Sequence, residues 1–215
     1  MIRFARRRAA VALVTLAAVV AGCAGNPGAT ASPSATASPM PSAAAACPTA
    51  QPPALPAGET RTVTIETEKG TIVVKVEGAL SPIAAGNFVA LAGCGFYDGV
   101  GFHRIVPGFV IQGGDPDGTG SGGPGYTIQD EPVTATYKRG TLAMARIRAP
   151  NSQGSQFFIV LDDAAADMGL AQENTYAIFG QVVEGMDVVD AIAAAADAEL
   201  PSDPVIMTRV TLANP

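Results

Sequence analysis

Residues 102–115 read FHRIVPGFVIQGGD. Two short apolar runs, Phe102 to Val106 and Phe109 to Gln112, are separated by glycine, and each has the length of a strand. The pattern recurs down the chain at Thr141 to Ala145, Gln156 to Leu161 and Tyr176 to Val183. Upstream, Val63 and Ile65 alternate with Thr64 and Glu66 before Glu68-Lys69-Gly70 turns the chain. Ile72, Val74 and Val76 resume the alternation, which predicts a hairpin with one buried face. Helices are few. Ser81-Pro82 offers a capping hydroxyl followed by proline at the first helical position, Phe88 and Leu91 follow at helical spacing, and Gly93 stops the run. Met186 to Ala196 is the second helix, with Val188, Val189 and Ile192 on one side, and Val205 to Leu212 alternates once more. Many short strands with two helices predict a mainly β fold, a closed antiparallel barrel without exposed edges. No internal repeat is visible.

The beginning of the chain is of another kind. Met1 to Arg8 is basic, and Ala9 to Ala21 is an apolar run too short to cross a bilayer, which takes about 20 residues. Together they read as a secretory signal. The run ends in Val20-Ala21-Gly22-Cys23, which resembles the lipobox of bacterial lipoproteins, where the cysteine is lipidated and becomes the new N-terminus. From Ala24 to Ala57 the chain is almost wholly Ala, Pro, Ser, Thr and Gly. Such a stretch lacks the apolar groups to offset its ordering entropy and reads as a tether. Its ends would lie on the order of 30 Å apart as a coil and about 100 Å apart as extended polyproline. The expected organisation is therefore a signal peptide (1–22), a lipidated Cys23 with a linker (23–57) and one folded domain (58–215), in an extracytoplasmic, membrane-anchored protein.

Charge excludes one class of partner. Of the 13 basic residues, Arg3, Arg6, Arg7 and Arg8 lie in the signal; the rest of the chain keeps 9 against 19 acidic residues. Nucleic-acid binders need the opposite balance, because their affinity comes from replacing counterions on phosphate.

Residues 102–115, together with GSQFFI at 154–159, AIFGQV at 177–182 and Glu184-Gly185-Met186, are similar to the cyclophilin family from roughly Thr62 to Leu212. The resemblance implies an eight-stranded barrel capped by two helices, with a groove on its outer face, and an enzyme that accelerates X-Pro cis-trans isomerisation. It puts Arg104 in the catalytic position. Phe109, Val110, Gln112, Ala145, Gln156 and Phe158 fall on groove positions, Leu170 on the apolar wall, and Tyr176 where many members have His. Arg146 stands where Asn is frequent, in a loop to Pro150 that is one residue longer. The chain has no Trp, although one often flanks the groove. The implied partners are proline-containing polypeptides, met by a monomer that needs no cofactor or metal.

The chemistry suits these residue types. An amide resists rotation by about 18–20 kcal/mol because its nitrogen lone pair is delocalised, and X-Pro exchange takes tens to hundreds of seconds unaided. At the twisted midpoint the nitrogen regains a basic lone pair. A donor aimed at it stabilises the twisted state over the planar one, which is the requirement for catalysis. Arginine is always charged and presents fixed donors. A 10⁵-fold gain requires about 7 kcal/mol, of which one charged hydrogen bond supplies about 1.5–3. The remainder falls to Gln112, holding the carbonyl side, and to Phe109 and Phe158, clamping the ring.

Other motifs point elsewhere and fail. His103, the single histidine, has no Ser or Cys partner at a recognisable spacing. Residues 118–123 fit G-x-G-x-x-G but lack the following helix. Asp115 and Asp117 lack the closing Glu of a calcium loop. Cys47 and Cys94 could pair, adding about 4 kcal/mol in the chain-entropy model, or stay as separate thiols. Competing with the enzyme is a non-catalytic proline-peptide-binding module or holdase, which retention of Arg104, Phe109, Gln112 and Phe158 argues against.

Overall fold

The computed structural model describes residues 46–173 and 175–213; the signal segment, Cys23 and the linker as far as residue 45 lie outside the described residues. β1 (Thr60–Thr67) and β2 (Gly70–Glu77) form the expected hairpin, with Val63 opposite Val74 and Ile65 opposite Ile72. All four side chains are buried, as is Val76. Then follow α1 (Pro82–Gly93), β3 (Val100–Gly101), β4 (Arg104–Val106), β5 (Val110–Gly113), β6 (Thr141–Met144) and β7 (Phe157–Val160). α2 (Asp163–Glu173), β8 (Ile178–Glu184), α3 (Met186–Ala195) and β9 (Ile206–Leu212) complete the chain. The nine strands make one antiparallel sheet in the order β3-β9-β1-β2-β8-β6-β7-β5-β4.

Eight strands in a closed barrel with two helices were expected; the described residues contain nine strands and three helices. The additional strand arises because the run through Phe102 divides. β3 pairs with β9 and β4 with β5, and between them the Phe102 N–H donates to Val205 O at 3.0 Å. Chains change partner at such bends. No ladder joins β3 to β4, so among the described residues the sheet has two ends.

The additional helix is α2, which carries Leu170. Asp162 Oδ1 accepts the Ala165 N–H at 3.0 Å, the bond of an N-capping residue, and Ala164, Ala165 and Ala166 are the best helix formers. α1 begins at Pro82 as expected, yet the Ser81 hydroxyl makes no capping bond. The Glu131 carboxylate replaces it, accepting the N–H groups of Ile83 (2.9 Å) and Ala84 (2.8 Å), and a negative charge is favoured at that end of a helix.

The main core lies between the inner face of the sheet and α1. Phe157 and Phe88 meet edge-on at 5.2 Å, and Phe179 lies 4.9 Å from Phe88; aromatic pairs add about 0.5–1.5 kcal/mol each beyond burial. Residues 46–57, the end of the stretch read as a tether, are packed on this body. Leu55 is buried and its N–H donates to Pro82 O at 2.9 Å. A Cβ at Gly86 would lie 2.2 Å from Pro53 O, so only glycine permits that approach. Backbone contacts hold this end of the stretch, and composition does not reveal them; the rest of the expected tether lies outside the described residues. A disulfide joins Cys47 to Cys94, with Cα atoms 5.1 Å apart.

Candidate active groove

β4, β5, β7 and β6 lie side by side, and their register aligns one row of residues. Arg104 is opposite Gln112, Gln112 opposite Phe158, and Phe158 opposite Ala143. Directly paired residues share a face and neighbours along a strand alternate. Arg104, Gln112 and Phe158 therefore stand together on the outer face, while Ile105, Ile111, Phe157 and Ile159 belong to the inner core. A second outer row, Val106, Val110 and Val160, runs beside the first.

α2 covers part of this outer face. Ala166 and Leu170 are buried in a second apolar cluster with Val110, Phe158 and Val160. Val110, Phe158 and Leu170 thus pack together as an apolar floor on this face. Phe109, Ala145 and Tyr176 pack half-buried at its margin. A Cβ at Gly169 would come within 2.9 Å of the Phe109 ring, so α2 and Phe109 lie in close contact. Tyr176 meets Phe158 edge-on at 5.4 Å. It is held by Tyr137, whose hydroxyl donates to Tyr176 O (2.8 Å) and accepts its N–H (3.1 Å). Burial pushes the Tyr137 hydroxyl up to about 12, against the opposing hydrogen bond to Tyr176, so it keeps its proton.

The polar side is a relay of fixed groups. Gln112 Nε2 donates to Gln156 Oε1 at 2.9 Å, and Gln156 Nε2 donates to Gly122 O at 2.9 Å. The glycine loop is closed in turn by Asp115. Its Oδ2 accepts the N–H groups of Gly120 (2.5 Å) and Gly122 (3.1 Å), and its Oδ1 accepts that of Asp117 (2.8 Å). Burial alone would raise the Asp115 carboxyl, but these three bonds together hold it below the ordinary aspartate range. A Cβ at Gly122 would sit 1.9 Å from Asp115 Oδ1, which explains glycine there. The glycine-rich loop is thereby tied to the groove through Gln156. A cavity of about 860 Å³ opens beside it, lined among others by Gln112, Gln156, Tyr126, Ala145 and Arg146.

The two arginines differ. Arg146 has a side chain only 13% exposed, paired with Asp130 at 3.2 Å. It also donates to the carbonyls of Ile147, Ala149 and Thr175. Its donors are committed to its own loop and the segment before Tyr176. Arg104 has a 36% exposed side chain and, among the described residues, one partner, Glu199, whose Oε1 accepts from Nε at 2.9 Å and lies 2.8 Å from Nη2. Sequence reading missed Glu199, which stands 95 residues from Arg104 with no motif around it. His103 is buried beside this strand, and among the described residues neither ring nitrogen has a hydrogen-bond partner. Burial pushes its imidazole below the usual range, opposed by the charge of Asp115.

Fold and groove define a cyclophilin-like, mainly β protein, and comparison with known proteins goes further. The family model for the cyclophilin type peptidyl-prolyl cis-trans isomerase/CLD matches residues 62–212. Peptidyl-prolyl cis-trans isomerase A of Mycobacterium tuberculosis is 39% identical over 174 residues, covering 71% of this chain and 92% of that one. The peptidyl-prolyl cis-trans isomerase of Helicobacter pylori is 42% identical over 138 residues, covering 62% and 81%. A cyclophilin-type isomerase from Cryptosporidium parvum has a solved structure that superposes with a TM-score of 0.65 at 33% identity, covering 73% of this chain and 100% of that one. Another structure of it, obtained in the presence of the dipeptide Ala-Pro, gives a TM-score of 0.64. The chain belongs to the cyclophilin-type peptidyl-prolyl cis-trans isomerase family and is an isomerase.

Proposed function

We propose that the chain turns X-Pro bonds in secreted or cell-envelope polypeptides, with Arg104 donating to the proline nitrogen in the twisted state. The observation that carries this reading is the row Arg104–Gln112–Phe158 across β4, β5 and β7. It lines up a cationic donor, an amide for the carbonyl side and an aromatic floor on one face. Phe109 adds the second ring surface, and the relay from Gln112 through Gln156 to Gly122 holds the amide in orientation before substrate arrives. An immobile donor is worth more at the midpoint than a mobile one, because no reorganisation is needed when charge develops. The step needs no nucleophile and moves no proton.

The site of action rests on the first 23 residues. Val20-Ala21-Gly22-Cys23 supports a lipid anchor at Cys23, which would hold the domain at the outer surface of a bacterial membrane. Cys23→Ser should move the protein from the membrane fraction to a soluble or unprocessed form. Mass spectrometry finding an unmodified mature N-terminus would refute the anchor.

A protease-free peptide isomerisation assay on the full chain tests the catalytic reading. Turnover by wild type that Arg104→Ala lowers at least tenfold supports it. Binding of proline peptides without turnover in wild type would favour the holdase.

A further inference from the structure

Glu199 lies between α3 and β9. Its carbonyl accepts the Ile105 N–H at 2.7 Å, which pins its backbone beside β4 one position along from Arg104. The stretch around it is closed by Asp197, whose carboxylate accepts the N–H (3.1 Å) and hydroxyl (2.7 Å) of Ser202. Glu199 therefore reaches Arg104 from a fixed base. Oε1 accepts from Nε–H at 2.9 Å and lies 2.8 Å from Nη2, on one edge of the guanidinium. Among the described residues the fork makes no other hydrogen bond, so both Nη1 hydrogens remain uncommitted.

We infer that Glu199 is the positioning residue of Arg104, fixing the guanidinium plane so that Nη1 is presented to the twisted proline amide. The inference rests on the proposed role of Arg104. Two effects of the carboxylate oppose each other. It offsets part of the positive charge that stabilises the proline nitrogen, and it removes the rotamer freedom of a long side chain. Both partners are open to water, with side chains 36% and 58% exposed, so the charge effect is screened. Orientation is not screened, and positioning wins. The benefit exists only where the nitrogen is pyramidal, so it belongs to kcat and leaves KM alone.

The test compares Glu199→Ala, Glu199→Gln, Arg104→Ala and the double variant in the full chain, by exchange spectroscopy on a proline tetrapeptide. Glu199→Ala should lower kcat about two- to fivefold, the range open to an exposed pair, with KM unchanged. Glu199→Gln keeps an acceptor oxygen and should recover more than half of that loss. In the Arg104→Ala background, Glu199→Ala should change nothing further. The ¹⁵Nε–H resonance of Arg104 should be visible in wild type and in Glu199→Gln, and lost to exchange with water in Glu199→Ala. Wild-type or raised kcat in Glu199→Ala overturns the inference. So does an equal loss in both Glu199 variants, or a further loss on top of Arg104→Ala, since either marks a general structural effect. An inactive Arg104→Ala beside a normal Glu199→Ala defeats this inference alone; an active Arg104→Ala defeats the reading beneath it.

Discussion

The inner and outer faces of β4, β5 and β7 are made by the same short runs of chain, yet they do opposite work. Inward, Ile105, Ile111, Phe157 and Ile159 belong to the main apolar core, where Phe157 meets Phe88 of α1. Outward, the same strands carry Arg104, Gln112 and Phe158, half covered by α2 and half open. The two-residue period of a strand separates the tasks at no cost in length. A rigid core one residue away from each site residue holds the row in place, which short loops could not do.

That contrast predicts that inner substitutions cost stability and outer ones cost turnover. The largest effect is expected inside. Phe157→Ala removes a ring that packs edge-on against Phe88, Tyr97 and Phe102, and should cost about 3–5 kcal/mol in denaturant unfolding. Activity per folded molecule should change little. A stability loss below about 1 kcal/mol would show that the two faces are not energetically distinct. Next comes the covered part of the outer face. Leu170→Ala should cost about 2–4 kcal/mol and also lower turnover, because α2 supports the floor beneath Phe158 and touches Phe109. Loss of stability with normal kcat would separate α2 from the groove.

Smaller in free energy is the open part. Arg104→Ala should lower kcat/KM at least tenfold, about 1.4 kcal/mol, while the unfolding midpoint stays within error. Its partner Glu199 is exposed, and exposed pairs add about 0–1 kcal/mol to stability. Wild-type activity in this variant would remove Arg104 from the reaction.

What could be read from the sequence follows the same division. The hairpin was legible because Val63, Ile65, Ile72, Val74 and Val76 repeat with period two and face one core. A groove at residues 102–115 was suggested only by the family resemblance; the row itself, Arg104, Gln112 and Phe158, is made by strand pairing between residues distant in sequence. α2 was not legible by periodicity: only Ala166 and Leu170 of its eleven residues are buried, too few to mark a face. Glu131 at the start of α1 and Glu199 on Arg104 were beyond reach for another reason. They act from 48 and 95 residues away, and an exposed-looking glutamate carries no local sign of its partner. The packing of residues 46–57 rests on backbone approach, to which composition is blind.

The smallest expected effect is that of pH, and here the two faces should part again. His103 sits buried with its imidazole held below the usual value near 6.5, mainly by burial and against the pull of Asp115. The folded state therefore binds fewer protons than the unfolded one as pH drops through 6.5, and folding weakens from there down to the depressed value. Asp115 is also held low, despite burial, by three backbone N–H groups. Its contribution is present above the ordinary value near 3.8 and is lost only as pH falls through its folded value. Acid should thus weaken the fold in two steps, the first setting in below about pH 6.5 with His103 and the second below about pH 3.8 with Asp115. One proton limits that slope to about 1.4 kcal/mol per pH unit. Turnover should stay nearly flat from about pH 6 to 9, since guanidinium groups keep their charge across that range. Urea unfolding and isomerisation rates measured together in wild type and His103→Gln check both halves. The variant should lose the upper stability window and keep the flat rate profile. A steep fall in rate below pH 7 that vanishes in His103→Gln would bring the histidine into the mechanism and end the division between a face that titrates and a face that turns over.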